Sequence, residues 1–116
     1  MRPGPKKVLA RFYCTETGAE PVREWLQSLS RADRKTVGAD IATVEYGWPV
    51  GMPTCKPMGN GLWEVRSKLS GNRHARILFC LEDGVIVLLH GFIKQTRRTP
   101  KADLDLARAR QRKVVG

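Results

Sequence analysis

Residues 62–94 read LWEVRSKLSGNRHARILFCLEDGVIVLLHGFIK. Two short polar breaks, Ser70-Gly71-Asn72 and Glu82-Asp83-Gly84, divide this stretch into three runs rich in β-branched, aromatic and aliphatic residues. Such runs bounded by Gly, Asn and Asp predict strands joined by tight turns. With breaks this short, consecutive strands pair antiparallel, and the simplest arrangement is a three-stranded meander. Residues two apart on a strand share a face. The alternation therefore places Trp63, Val65, Ser67 and Leu69 opposite Leu62, Glu64, Arg66 and Lys68. On the second run it places Arg73, Ala75, Ile77, Phe79 and Leu81 opposite His74, Arg76, Leu78 and Cys80. On the third it places Val85, Val87, Leu89 and Ile93 opposite Ile86, Leu88, His90, Phe92 and Lys94. Each strand is expected to have one apolar face and a second face that turns polar or basic.

Outward from the meander, residues 49–61 (PVGMPTCKPMGNG) hold three prolines and three further glycine-marked breaks, and predict a loop. Residues 8–14 (VLARFYC) predict a strand and residues 15–18 (TETG) the turn after it. Pro21 opens a helix, because its missing N–H is not needed in the first turn. Val22, Trp25, Leu26 and Leu29 then form one apolar stripe. Ser30 caps a second helix with Asp33 as the acid of a capping box, and Val37, Ile41, Val44 and Trp48 continue at helical spacing. Thr99 and Pro100 start a last helix as cap and first residue. The order β-α-α-β-β-β-α describes an α+β domain over residues 1–116, its residues 1–7 (MRPGPKK) a flexible basic arm. The two-helix hairpin is the natural cover for the apolar sheet face.

The 116 residues are 41% hydrophobic and 28% charged, too apolar for a disordered basic tail and too short for two full domains. No apolar run exceeds five residues, as in residues 85–89, far below the roughly 18 that a membrane span needs. The basic N-terminus lacks the apolar core of a signal peptide. Cys14, Cys55 and Cys80 form no CxxC pair, which argues against a disulfide framework or a zinc site and for a reducing cytoplasm. The net charge of +10 is unevenly placed. Residues 91–113 carry +6, whereas residues 20–47 carry −1. A positive field of this size favours polyanions, nucleic acid first.

The second face of the sheet gathers Arg66, Lys68, His74, Arg76, His90, Phe92 and Lys94, with Phe92 an exposed ring among cations. Cations hold phosphates and a ring stacks on a base. No GxGxxG, P-loop or GxSxG motif is present, no pair of carboxylates stands out, and Glu64 reads as the partner of Arg66. The chemistry open to such a face is that of cations. Arginines stabilise a phosphorane, and a lysine crowded by other cations serves as a base.

The segments Gly61-Leu62-Trp63-Glu64-Val65-Arg66, Arg76-Ile77-Leu78-Phe79, residues 87–96 (VLLHGFIKQT) and Thr99-Pro100 closely resemble the phage-derived branch of RelE/HigB-like toxins. The resemblance runs from about Val8 to Arg112. It implies a RelE-like fold: a small twisted, mainly antiparallel sheet, an N-terminal helical hairpin on one face and a short C-terminal helix. It implies the toxin of a type II toxin–antitoxin pair, a metal-independent endoribonuclease that cleaves mRNA on the ribosome and uses no cofactor. The implied partners are a small helix-turn-helix antitoxin encoded alongside, mRNA on the ribosome, and operator DNA through the antitoxin only. Carried over by position, the catalytic residues are Arg66, Arg76, Lys94 and Lys56. The basic neighbours Lys68, Arg73, His74, His90, Arg97 and Arg98, with Phe92, are expected to bind RNA. The chain departs from the family at Gln95, where a second lysine is common, and lacks the tyrosine some relatives carry near the C-terminal end. The alternative is a non-catalytic nucleic-acid-binding regulator of phage origin with the same fold.

Overall fold

The computed structural model of the protein describes residues 4–94 and 97–115. Strands β1 (Leu9–Phe12), β2 (Cys55–Gly59), β3 (Leu62–Leu69), β4 (Arg73–Glu82) and β5 (Val85–Lys94) form one sheet in the order β1-β5-β4-β3-β2. Helices α1 (Pro21–Ser28) and α2 (Arg31–Gly47) precede β2, and α3 (Lys101–Val115) follows β5. The molecule is α+β, as expected, and the meander β3-β4-β5 is antiparallel throughout. β1 joins the other side of β5 in parallel, which makes the sheet mixed. No helix among the described residues is long and apolar enough to cross a membrane.

The helical elements begin where local chemistry places them. Pro21 is the first residue of α1, and the Ser30 hydroxyl accepts the Asp33 N–H at 3.1 Å to cap α2. α1 packs on β5 and α2 on β3. Between them and the sheet lies the main core, where Val22, Val37 and Val44 meet Val65, Ala75, Ile77, Phe79, Ile86 and Leu88. Burial of this kind contributes about 1.5–3 kcal/mol per large aliphatic side chain.

Four expectations need correction. First, residues 49–61 are not all loop, because Cys55–Gly59 pairs antiparallel with β3. Pro57 is tolerated there since β2 is an edge strand and needs no donor on its outer side.

Second, the expected faces of β5 are out of phase above its middle. Leu78 pairs with His90 but Phe79 pairs with Leu88, so Leu89 is an extra residue in a β-bulge. The bulge turns Ile86 and Leu88 towards the helical hairpin, while Val87 and Leu89 pack on the opposite side. Below the bulge, Gly91 and Ile93 face the hairpin. Gly91 lies so close under Trp25 that an added Cβ would sit 2.4 Å from the indole. The bulge leaves the Leu89 carbonyl to the Arg110 guanidinium, which donates to it at 2.8 Å.

Third, α3 starts at Lys101, and the Leu104 N–H bonds to the Pro100 carbonyl. Thr99 does not cap it, and its hydroxyl donates to Glu64 instead. Fourth, the basic arm is tied down from Lys6 onwards. Its ammonium lies 2.8 Å from Glu45 Oε1, and the Lys7 and Val8 N–H groups donate to the Glu45 carbonyl. Glu45 Oε2 also accepts the Ala10 N–H, so the end of α2 covers the outer edge of β1. The first three residues of the expected arm, and Gln95, lie outside the described residues.

Candidate functional site

The pairing of β3, β4 and β5 sets the second face out in rows. Leu62, Cys80 and Val87 form the top row. Below it come Glu64, Leu78 and His90, with Lys56 of β2 beside Glu64. Arg66, Arg76 and Phe92 follow, and Lys68, His74 and Lys94 form the last. Apolar side chains thus give way to cations along all three strands. α3 covers the upper rows, where Ala107 and Leu104 pack on Leu62, Leu78, Cys80, Val87 and Leu89. Burial pushes the Cys80 thiol up, and its side chain packs in this core.

The lower rows stay open. A groove of about 570 Å³ is lined by Arg66, Arg73, His74, Arg76, Lys94 and Arg97, together with Asn72 and Ile93. Six of the eleven residues expected to serve the site therefore line it. Arg66 and Arg76 are directly opposite each other on β3 and β4. Like charges so placed repel, and Glu64 answers them. Its carboxylate is 1% exposed, with Oε1 3.5 Å from Arg76 Nε and 3.9 Å from Arg66 Nε. Its other oxygen accepts the Thr99 hydroxyl at 2.6 Å. Spacing along β3 pairs Glu64 with Arg66 alone; the shorter contact is to Arg76, and Thr99, expected as a helix cap, is a further partner.

The two arginines differ in access. Arg76 is almost wholly buried and donates from Nη1 to the Ala75 carbonyl at 2.9 Å. Burial first, and Arg66 second, push its pKa below the ordinary value while Glu64 raises it; an arginine stays charged at neutral pH regardless. The Arg66 side chain is 26% exposed and donates from Nη1 to the Met52 sulfur at 3.3 Å. The Nε–H groups of both are buried without a hydrogen-bond partner among the described residues. Lys94 is half-buried, and its pKa is lowered by burial first and then by Arg76, Arg66 and Lys56, with Glu64 opposing.

The remaining candidates divide. Lys68 and Lys56 are exposed on the same face, and His74 is half-buried between Lys68 and Lys94. Arg97 and Arg98 are exposed on the segment before α3. Arg73 holds Asp33 of α2 with two hydrogen bonds, at 2.7 and 2.9 Å, so it braces the meander against the hairpin. His90 is engaged from above, its Nε2 lying 2.6 Å from Asp103 Oδ1 on α3. Phe92 is not exposed: it is 8% accessible, stacks on His90 at 5.5 Å and belongs to the core under α3. The expected excess of charge on the C-terminal helix is partly internal. Arg108 donates to the Met58 and Gly59 carbonyls, and Arg110 to Leu89 while lying over Tyr13. Among the described residues, no group of three or more His, Cys, Asp or Glu is placed to hold a metal ion.

A groove of paired guanidiniums and a depressed lysine suits an oxyanion with more than one oxygen to offer, because guanidiniums bind such groups through several N–H donors at once. No curated protein matches the chain. The protein-family model described as Phage derived protein Gp49-like (DUF891) matches residues 24–112, which include the greater part of α1, all of α2, the whole meander and most of α3, and the chain belongs to that phage-derived family.

Proposed function

We propose that the protein is the toxin of a type II toxin–antitoxin pair and cleaves mRNA on the ribosome with a RelE-like fold and no metal. The observation that carries this reading is the groove in which Arg66, Arg76 and Lys94 converge above the buried Glu64. Membership of a phage-derived family and the resemblance of the LWEVR and LLHGFIKQT segments to HigB-like toxins support it.

In the proposed reaction the 2′-hydroxyl of one nucleotide attacks the adjacent phosphorus, the bond to the 5′-oxygen breaks, and a 2′,3′-cyclic phosphate is left. Arg66 and Arg76 hold the phosphate and neutralise the charge that grows on it. Lys94 takes the 2′-hydroxyl proton, a role that its lowered pKa favours. Lys56, exposed beside Glu64 in the adjacent row, delivers a proton to the leaving 5′-oxygen. The two unmatched Nε–H groups are a cost borne at the site, of about 1–3 kcal/mol each. Such costs collect where function rather than stability is served. Phe92, being buried in the core under α3, is not a platform for a base. A small helix-turn-helix antitoxin with acidic residues is the fitting partner for the same cationic face.

The test is expression in bacteria of the wild type and of the Arg66→Ala, Arg76→Ala double variant. Wild type should arrest growth and cut mRNA in translating extracts, and the double variant should do neither. Intact RNA that is shifted in a gel by wild type would instead assign the non-catalytic binding role.

A further inference from the structure

A second cleft, of about 480 Å³, adjoins the cationic groove and shares Arg66, His74 and Arg76 with it. Its other walls differ in kind, since α2 contributes Thr36 and Asp40 and the loop before β2 contributes Thr54. It opens where the sheet is incomplete. β2 pairs with β3 only as far as Val65, so the last residues of β3, including Lys68 in the cleft, have no strand on their outer side. An uncovered strand edge offers N–H and C=O groups to a ligand.

Asp40 is the unusual member. Two other acids of α2 are matched to cations, Asp33 to Arg73 and Glu45 to Lys6. Asp40 is half-buried and has no hydrogen bond or ion pair with any described residue, although Arg66, Lys68 and Arg76 line the same cleft. A carboxylate only accepts hydrogen bonds. Its ligand must therefore bring N–H donors to Asp40 while placing an anionic group at Arg66 and Arg76. A nucleotide does both. Among the RNA bases, guanine alone presents two adjacent donors, N1–H and the 2-amino group, to the two oxygens of one carboxylate. Unstacked bases of single-stranded RNA are read on this edge, and a cleft of this size lies within the range of ligand pockets, about 300–1,000 Å³.

We infer that this cleft seats a guanine flanking the phosphate held in the groove, with Asp40 accepting from N1–H and the 2-amino group. The inference rests on the nuclease reading of the groove and adds a base preference to it. The test is fluorescence anisotropy with labelled hexauridylates that carry one central 2′-deoxyguanosine or, in its place, 2′-deoxyinosine, which lacks the 2-amino group. Wild type should prefer the guanine strand by about tenfold, the worth of one hydrogen bond to a charged acceptor. Asp40→Asn should bring the two strands within about twofold of each other, an amide offering one acceptor in place of two. Equal binding of both strands by wild type, with affinity that falls as salt rises, overturns the base cleft and leaves the phosphate groove standing. A guanine preference that survives Asp40→Asn overturns the role of Asp40. Failure to bind either strand at low salt overturns the cleft and the groove together.

Discussion

The upper and lower halves of one sheet face are built on the same three strands, yet they do opposite things. Along β3 the face runs Leu62, Glu64, Arg66, Lys68; along β4 it runs Cys80, Leu78, Arg76, His74. The upper half is sealed by α3 and joins the core, whereas the lower half is left open and cationic. The boundary is the row of Glu64, Leu78 and His90, and α3 or the segment before it pins that row at both ends. Thr99 bonds Glu64, and Asp103 bonds His90. A buried charge is tolerated only with a partner, so this row is where a covered apolar surface is converted into an open basic one.

The strongest way to break the division is at Glu64. Glu64→Ala leaves Arg76 buried without its countercharge and should cost about 3–5 kcal/mol in urea unfolding. Leu78→Ala, in the same row but apolar and fully buried, should cost about 2–4 kcal/mol through the cavity it leaves. It should leave the salt dependence of RNA binding unchanged. Arg66→Ala separates the halves in the other sense. Its partly exposed side chain should change stability by less than about 1 kcal/mol, while RNA cleavage should fall about 100-fold, as when one transition-state donor is lost.

The pH profile sharpens the lower half. A general base acts when deprotonated, so cleavage should rise with pH, and the lowered pKa places the inflection below the ordinary lysine value near 10.4. Lys94→Gln should abolish that rise. The smallest effect concerns the brace outside the groove. Arg73, through its hydrogen bonds, holds the Asp33 carboxyl below its ordinary value. A depressed native pKa adds stability that is complete above the unfolded value, near 3.9, and is lost as pH falls through the native one. The stability gap between wild type and Asp33→Asn should therefore close below about pH 4, which acid unfolding followed by circular dichroism will read.

Much of this was legible in the order of residues. The meander, both helices of the hairpin with the Ser30 cap, and the row positions of Arg66, Arg76, His74 and Lys94 follow from short-range periodicity and turn chemistry. β2 was hidden because its prolines and glycines carry a loop signal, and an edge strand accepts them without penalty. The bulge at Leu89 was hidden because residues 85–89 are apolar without alternation, so nothing local distinguishes one phase from the other. Periodicity puts Phe92 on the basic face, and only the docking of α3 above it decides its burial.

The sequence by itself determined which residue types share a face, since a strand's period of two and a helix's period of 3.6 are properties of the backbone. It also determined the basic balance that makes a polyanion the natural partner. Tertiary structure alone decided which of those cations are available. Arg73, Arg108 and Arg110 are held by Asp33 and by backbone carbonyls from 21 or more positions away, while Arg66, Arg76 and Lys94 are left around a groove. The reason is that a charge is neutralised by whatever lies within a few ångströms of it, and in a folded chain those neighbours are set by packing and not by order along the sequence.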